Sequence, residues 1–207
     1  MISVDIEKKL KAYQGQQVLK ISTQFQSGSI TKIFGPSGAG KTTFLKIIAG
    51  LIDPEKGEIK VGNTIWLNTS AKISLSPQER RVGFVFQNYA LFPNMTVRQH
   101  LGYATEDDQW IDRLLEIGKL ETFVKHKPEY LSGGQQQRLS ILRAMAIKPQ
   151  LLLMDEPFSA LDPKMKSQII PELKALWKEL GTTTLIVTHN PHELEGLTDA
   201  EMEIDPA

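Results

Sequence analysis

Ser29-Ile30-Thr31-Lys32-Ile33-Phe34-Gly35-Pro36-Ser37-Gly38-Ala39-Gly40-Lys41-Thr42 is the stretch on which the fold turns. A run of strand length, Ser29–Phe34, passes directly into a loop with glycine at 35, 38 and 40. A helix is expected from Lys41 to Leu51, because Phe44, Leu45, Ile47 and Ile48 recur at helical spacing. The loop matches G-x-x-x-x-G-K-[ST] in the strand–loop–helix setting that gives the pattern its meaning. Glycines suit it because the backbone must come close to an anion, in dihedrals that a Cβ disfavours. Successive N–H groups and the positive end of the helix then converge on phosphate. Lys41 supplies a full charge for β- and γ-phosphates, and the Thr42 hydroxyl suits Mg²⁺.

Outward from this loop, short apolar runs alternate with helical patterns, which reads as an α/β fold. Val4–Lys11 and Val18–Gln26 predict two antiparallel strands. Glu58–Val61 and Thr64–Leu67 flank Gly62-Asn63, a hairpin signal. Val82–Phe86 reads as a buried strand ending at Gln87, Leu151–Asp155 as another, and Thr183–Thr188 as a third. Between them, Thr96 to about Val124 is helical, clearest over Asp108–Ile117. Ser132-Gly133-Gly134 opens a long helix through Ile147, and a further helix spans Pro163–Leu180. One domain of 207 residues is expected, without repeats or long linkers. Residues 1–94 and 148–207 form its core and an N-terminal β part, and residues of about 95–147 a helical insertion.

Two further stretches carry chemistry. Leu151-Leu152-Leu153-Met154-Asp155-Glu156 is an apolar strand ending in two acids. Beside a phosphate loop, Asp155 can hold Mg²⁺ and Glu156 can polarise an attacking water. Leu131-Ser132-Gly133-Gly134-Gln135 is a second anion-friendly helix start, with a capping serine and two exposed glycine amides. Lying between the phosphate loop and the Asp-Glu strand, it resembles the signature of ABC-type ATPases.

That resemblance runs along nearly the whole chain in order. Gln87 resembles the family's Q-loop glutamine, Ser159-Ala160-Leu161-Asp162 its D-loop, and His189 its switch histidine. Tyr13 is similar in position to the aromatic residue that stacks on adenine. The other histidines, His100, His126 and His192, have no such context and read as structural or solvated. The resemblance implies a P-loop cassette: a mixed parallel core sheet, an antiparallel β subdomain and a helical subdomain. It implies ATP as ligand, held by Gly35, Ser37, Gly38, Gly40, Lys41, Thr42 and Thr43. Mg²⁺ falls to Thr42, Gln87 and Asp155, and catalysis to Glu156, His189, Gln87 and Lys41. Gln135 and Asp162 are further nucleotide-binding residues by the same resemblance. Ser132 and Gly134 complete the site of a second subunit, so a homodimer around two Mg-ATP, or a pairing with a similar chain, is implied.

The contexts Asp155–Asp162 and Arg80–Pro93 resemble importer ATPases for oxyanions and related small solutes. Ser29–Lys41 and Leu75-Ser76-Pro77-Gln78-Glu79-Arg80-Arg81 are similar to the molybdate importer's subunit in particular. A transmembrane permease and, through it, a periplasmic or surface solute-binding protein are the partners implied. Tyr89, Leu91 and Phe92 are candidates for permease docking, with core packing under a loop as the alternative. The resemblance places such a chain peripherally at the cytoplasmic face of the inner membrane. Members of this subgroup often continue into a β-rich C-terminal domain; the sequence in hand ends at Ala207, so no such regulatory domain is expected. Export, lipoprotein release and non-transport ABC ATPases share the catalytic motifs and are the rival readings.

Composition sets the outer limits. The chain balances 24 Lys+Arg against 24 Asp+Glu, and a neutral chain lacks the basic field that nonspecific nucleic-acid binding needs. At 41% hydrophobic residues it can bury a core. It has no cysteine, which excludes disulfides, thiolate metal sites and thiol catalysis. No run near the N-terminus has the form of a secretory signal, and no apolar stretch reaches the roughly 20 residues of a membrane span.

Overall fold

In the computed structural model, the described residues are 1–12, 15–189, 194 and 196–205. Period-two burial builds the first sheet. Ile2, Val4 and Ile6 of β1 (Ile2–Ala12) are buried, as are Leu19, Ile21 and Phe25 of β2 (Gly15–Phe25). The two strands pair antiparallel with Ile2 opposite Phe25 and Ile6 opposite Ile21. β4 (Lys56–Val61), β5 (Thr64–Asn68) and the two-residue β6 (Ile73–Ser74) extend this sheet in the order β2-β1-β4-β5-β6.

The second sheet is built differently. β3 (Ile30–Phe34), β7 (Gly83–Val85), β8 (Leu151–Asp155), β9 (Thr183–Val187) and β10 (Ala200–Glu203) take the order β10-β3-β9-β8-β7, and every pairing is parallel. Every residue of β8 and of β9 is buried, which is why both read as unbroken runs in the sequence. Their alternate side chains divide between two cores. Leu151, Leu153, Leu185 and Val187 meet Phe44, Leu45, Ile47 and Ile48 of α1 (Lys41–Ile48), which lies between the two sheets. Leu152, Met154 and Ile186 face the other way. There they join α3 (Val97–Gly102), α4 (Asp108–Ile117), α5 (Gly133–Ala146) and α6 (Pro163–Glu179). The phosphate-loop helix is thus held from both sides, while the helical segment packs on the far face.

α1 stops at Ile48, short of the Leu51 expected from the sequence, because Gly50 turns left-handed (φ 77°) and Leu51 is exposed. A side chain finishes this helix from elsewhere. Arg80, buried at the end of the one-turn helix α2 (Pro77–Arg80), donates to the carbonyls of Ile47 and Ile48, each at 2.8 Å, and of Leu75 at 2.9 Å. Four carbonyls at a helix C-terminus lack intrahelical partners, and a cation there also answers the helix dipole. Burial pulls the Arg80 pKa down, opposed by Asp53, and the guanidinium remains charged.

His100, at 0% exposure, is structural, the first of the two readings its sequence context leaves open. Its Nε2 accepts the Phe92 N–H at 2.9 Å and its Nδ1 faces the Thr96 carbonyl at 2.8 Å, which requires the neutral Nδ1-protonated ring. Burial, and secondarily the charge of Arg143, hold its pKa below the ordinary value, against the Thr96 hydrogen bond. The unfolded chain therefore takes up this proton first. The stabilisation is complete above the unfolded pKa of about 6.5 and is lost as pH falls through the lower folded value. Urea unfolding at pH 7 and pH 5 is expected to show a fall in stability that shrinks in His100→Gln; equal falls in both proteins would assign the loss elsewhere.

Candidate functional site

The loop from Gly35 to Gly40 joins β3 to α1 at the carboxyl end of the parallel sheet, where open α/β sheets bind ligands. Gly35 (φ 148°) lies so close to β10 that a Cβ there would fall 2.1 Å from the Ile204 carbonyl oxygen. Gly40 (φ 95°) is the N-cap of α1 and supplies no side-chain hydrogen bond. The contrast with the neighbouring helices is informative. Ser76, Thr96, Asp107, Ser132 and Asp162 each cap α2 to α6 with a side-chain oxygen. Helix α1 alone among these opens on a cleft without a built-in acceptor, which is the condition for an external anion to cap it.

That cleft has a volume of about 510 Å³. Ser37, Gly38, Gly40, Lys41, Thr42 and Thr43 line it from the loop side. Gln87, Glu156 and His189 line it from the ends of β7, β8 and β9. Leu10 and Val187 also contribute; neither was singled out in the sequence, since an apolar strand residue carries no local sign of facing a ligand. Lys41 is buried and donates to the carbonyls of Gly35 and Pro36, both at 2.8 Å, so it closes the loop on itself. Burial pushes its ammonium below the ordinary lysine range, while Glu156 and Asp155 pull it back up.

Behind the loop, the Thr42 hydroxyl donates to Asp155 Oδ2 at 2.7 Å, with the Asp155 residue buried. Both are hard oxygen donors, and two protein oxygens leave room for phosphate oxygens and water around a small divalent cation. Glu156 Oε1 lies 2.6 Å from His189 Nε2, a contact that places the proton on Nε2. Glu156 has a left-handed backbone (φ 52°), worth about 1–3 kcal/mol of strain for a residue that is not glycine. Surrounding hydrogen bonds hold it there. Its N–H donates to the Val187 carbonyl at 2.9 Å, and its own carbonyl accepts from Gln137 Nε2 at 2.9 Å and Ser159 Oγ at 3.1 Å. Gln137 was not anticipated; only its place two residues after Gln135 in the sequence hints at a role.

The remaining expected residues lie elsewhere. Ser132 and Gln135 do not line the cleft; they form a reciprocal capping box at the start of α5, with Ser132 N–H donating to Gln135 Oε1 at 2.8 Å. Gly134 packs toward the Ala160 carbonyl, 3.2 Å from where its Cβ would stand. Asp162 caps α6 through the Met165 N–H at 2.9 Å. Its carboxylate is thus engaged in this chain's own helix. Tyr13 and His192 lie outside the described residues. Of the docking candidates, Leu91 packs against the core, as the alternative reading had it. Tyr89 (φ 62°) and Ala90 (φ 48°) are held by Arg143, whose guanidinium donates to both carbonyls and lies over the Phe92 ring. Phe92 is partly exposed beside the exposed Tyr103, at 5.6 Å between ring centres. Tyr103 borders a wide groove of about 720 Å³ with Met95, Gln99 and Ile111. Among the described residues no helix is long and apolar enough to cross a membrane.

Comparison with known proteins gives the chain a family. Residues 18–159 match the family model described as ABC transporter, and residues 128–195 match one described as AAA domain, putative AbiEii toxin, Type IV TA system. The molybdenum import ATP-binding protein ModC of Shewanella oneidensis is 39% identical over 96% of this chain and 54% of its own length. The sulfate/thiosulfate import ATP-binding protein CysA of Mesostigma viride is 40% identical over 96% of this chain and 58% of its own. The trehalose/maltose import ATP-binding protein MalK of Thermococcus litoralis is 39% identical over 87% of this chain and 50% of its own. The chain thus spans about half the length of these curated relatives. Among solved structures, the ATP-binding cassette MJ0796, a dimer in a post-hydrolysis state bound to ADP and Pi, superposes with a TM-score of 0.83. It is 32% identical, over 99% of this chain and 94% of that one.

Proposed function

The chain belongs to the ABC transporter family, and from that premise we propose that it is the ATP-hydrolysing cassette of an importer. The observation that carries this reading is the convergence of an uncapped α1, Lys41, the Thr42–Asp155 pair and the Glu156–His189 pair on one cleft. In it, the first-turn amides of α1 and Lys41 bind the β- and γ-phosphates of ATP. Thr42, Asp155 and Gln87 hold Mg²⁺, which when bound neutralises charge on the phosphate oxygens. Glu156 accepts a proton from the attacking water, and His189 orients Glu156 through Nε2 and faces the γ-phosphate. Phosphoryl transfer asks for positioning and charge more than covalent chemistry, and every group here supplies one or the other.

The proposal extends to assembly. Ser132, Gly134 and Gln135 stand outside their own chain's cleft, at the exposed start of α5. In a head-to-tail dimer that helix start covers the nucleotide of the partner copy and excludes water from it. The MJ0796 cassette, a dimer bound to ADP and Pi, supports association of two copies. Residues of about 95–147 then act as the helical subdomain that presents α5, with 1–94 and 148–207 as the nucleotide-binding body. A permease segment docking in the groove beside Tyr103 and Phe92 brings the cassette to the cytoplasmic face of the membrane.

The cargo is a small solute. The molybdenum and sulfate relatives favour an oxyanion such as molybdate, although the trehalose/maltose relative shows that similar cassettes serve other cargo. Phosphate release by the purified chain, followed with sedimentation in ATP, tests the ATPase and the dimer. Reconstitution with a candidate oxyanion permease, and with molybdate, tungstate or sulfate in turn, tests import. Turnover without ATP-dependent association would overturn the dimer, and no stimulation by any of the three anions would overturn the oxyanion assignment.

A further inference from the structure

Helix α5 begins at the signature segment and carries, one turn in, a buried glutamine that reaches the catalytic strand of the same chain. Gln137 is 1% exposed. Its Nε2 donates to the Glu156 carbonyl at 2.9 Å and to Ser159 Oγ at 3.2 Å, and its Oε1 accepts the Ala160 N–H at 2.8 Å. One amide therefore fixes both ends of the turn Glu156–Ala160. The Ser159 hydroxyl closes the ring by donating to the same Glu156 carbonyl at 3.1 Å.

Glu156 needs this support. Its left-handed backbone is not one that a glutamate adopts unaided, and such conformations persist where neighbours over-determine them. The direction of the Glu156 carboxylate follows from that backbone, because the side chain is carried on it. Gln137 does not touch the cleft. It reaches the reaction only through Glu156, while its helix starts at the residues proposed to meet the partner's nucleotide.

We infer that Gln137 is a positioning residue that sets the catalytic carboxylate of Glu156 and links its orientation to the docking of α5 on the partner copy. The inference rests on the ATPase reading above. In its working form, engagement of Ser132–Gln135 shifts α5, α5 carries Gln137, and Gln137 aims Glu156 at the water.

The test uses the full chain and ATP. Gln137→Met keeps the length of the side chain and removes all three hydrogen bonds. Its kcat is expected to fall about ten- to a hundredfold, the range for a misplaced catalytic group, with KM for ATP within about twofold of the parent. The ATP-bound dimer should persist for longer than in the parent, since binding survives and hydrolysis lags. Ser159→Ala, a smaller change, should lower kcat in the same direction, and the double variant should cost less than the product of the two single effects. Thr182→Val is the control. It removes a buried hydroxyl bond to the Pro149 carbonyl, remote from the cleft, and should lower the unfolding midpoint without moving kcat.

If Gln137→Met does not fold, Ser159→Ala carries the decision: unchanged kcat there overturns the inference. A folded Gln137→Met with parental kcat overturns it as well, and so does a loss of ATP affinity matching the loss of turnover. A parent chain that does not hydrolyse ATP at all overturns the ATPase reading itself and is a separate outcome.

Discussion

Glu156→Gln is expected to lower ATP turnover by about 10²–10⁴-fold, the usual worth of a general base, while leaving nucleotide affinity and the fold intact. The substitution is isosteric, and the hydrogen bonds that hold the Glu156 backbone are made by its N–H and carbonyl, which do not change. The amide can still meet His189 at the position of the present 2.6 Å contact. It cannot take a proton from water. Binding and hydrolysis therefore separate, and an ATP-bound dimer should accumulate that the parent forms only briefly. Single-turnover phosphate release and sedimentation in Mg-ATP read the two halves. Turnover within a few-fold of the parent would remove Glu156 from the role of base.

Lys41→Met is expected to fail earlier, at binding. The ammonium is buried with two backbone carbonyls as its hydrogen-bond partners, and its pKa is already pushed down by that burial. An arriving phosphate offers an anion in direct hydrogen-bond contact, where the ammonium now meets two neutral carbonyls. A hydrogen bond to a charged group is worth about 1.5–3 kcal/mol, or roughly ten- to 150-fold in affinity. Calorimetric titration with ATP should show a loss of that order. The unfolding midpoint should move little, because Met keeps the aliphatic stem packed and releases the carbonyls of Gly35 and Pro36 beside an open cleft. Parental affinity in this variant would exclude Lys41 from phosphate binding.

What could be read from the sequence was whatever sits in one continuous stretch. The loop Gly35–Thr42, the strand Leu151–Asp155 and the helix Asp108–Ile117 each declare themselves by pattern, and the last two have the bounds that the pattern predicts. Contacts between distant segments stayed hidden. Nothing around Gln137 announces a bond to Glu156, and nothing around Arg80 announces the end of α1, because both depend on what the fold brings close. β10 escaped notice for a related reason. Ala200–Glu203 has two acids in four residues and is a strand only because it pairs with β3, where Lys32 meets Glu201 at 2.7 Å. Asp162 gains a role its motif does not announce, since its carboxylate caps α6.

The position of β3 also bears on how the protein is made. The strand that feeds the phosphate loop has two neighbours, and Ile30 pairs with Thr184 while Thr31 pairs with Ala200. Both partners leave the ribosome long after β3 has done so. A growing chain carries a finished loop sequence on a strand without its sheet partners until residues 184–203 emerge, and chains rich in such distant pairings fold slowly. Since the Ile204 carbonyl lies 2.1 Å from where a Gly35 Cβ would stand, the loop meets this packing surface only once synthesis has passed that residue. Premature termination upstream of β10 thus yields a product that bears the whole phosphate-binding motif and lacks the surface against which it is shaped.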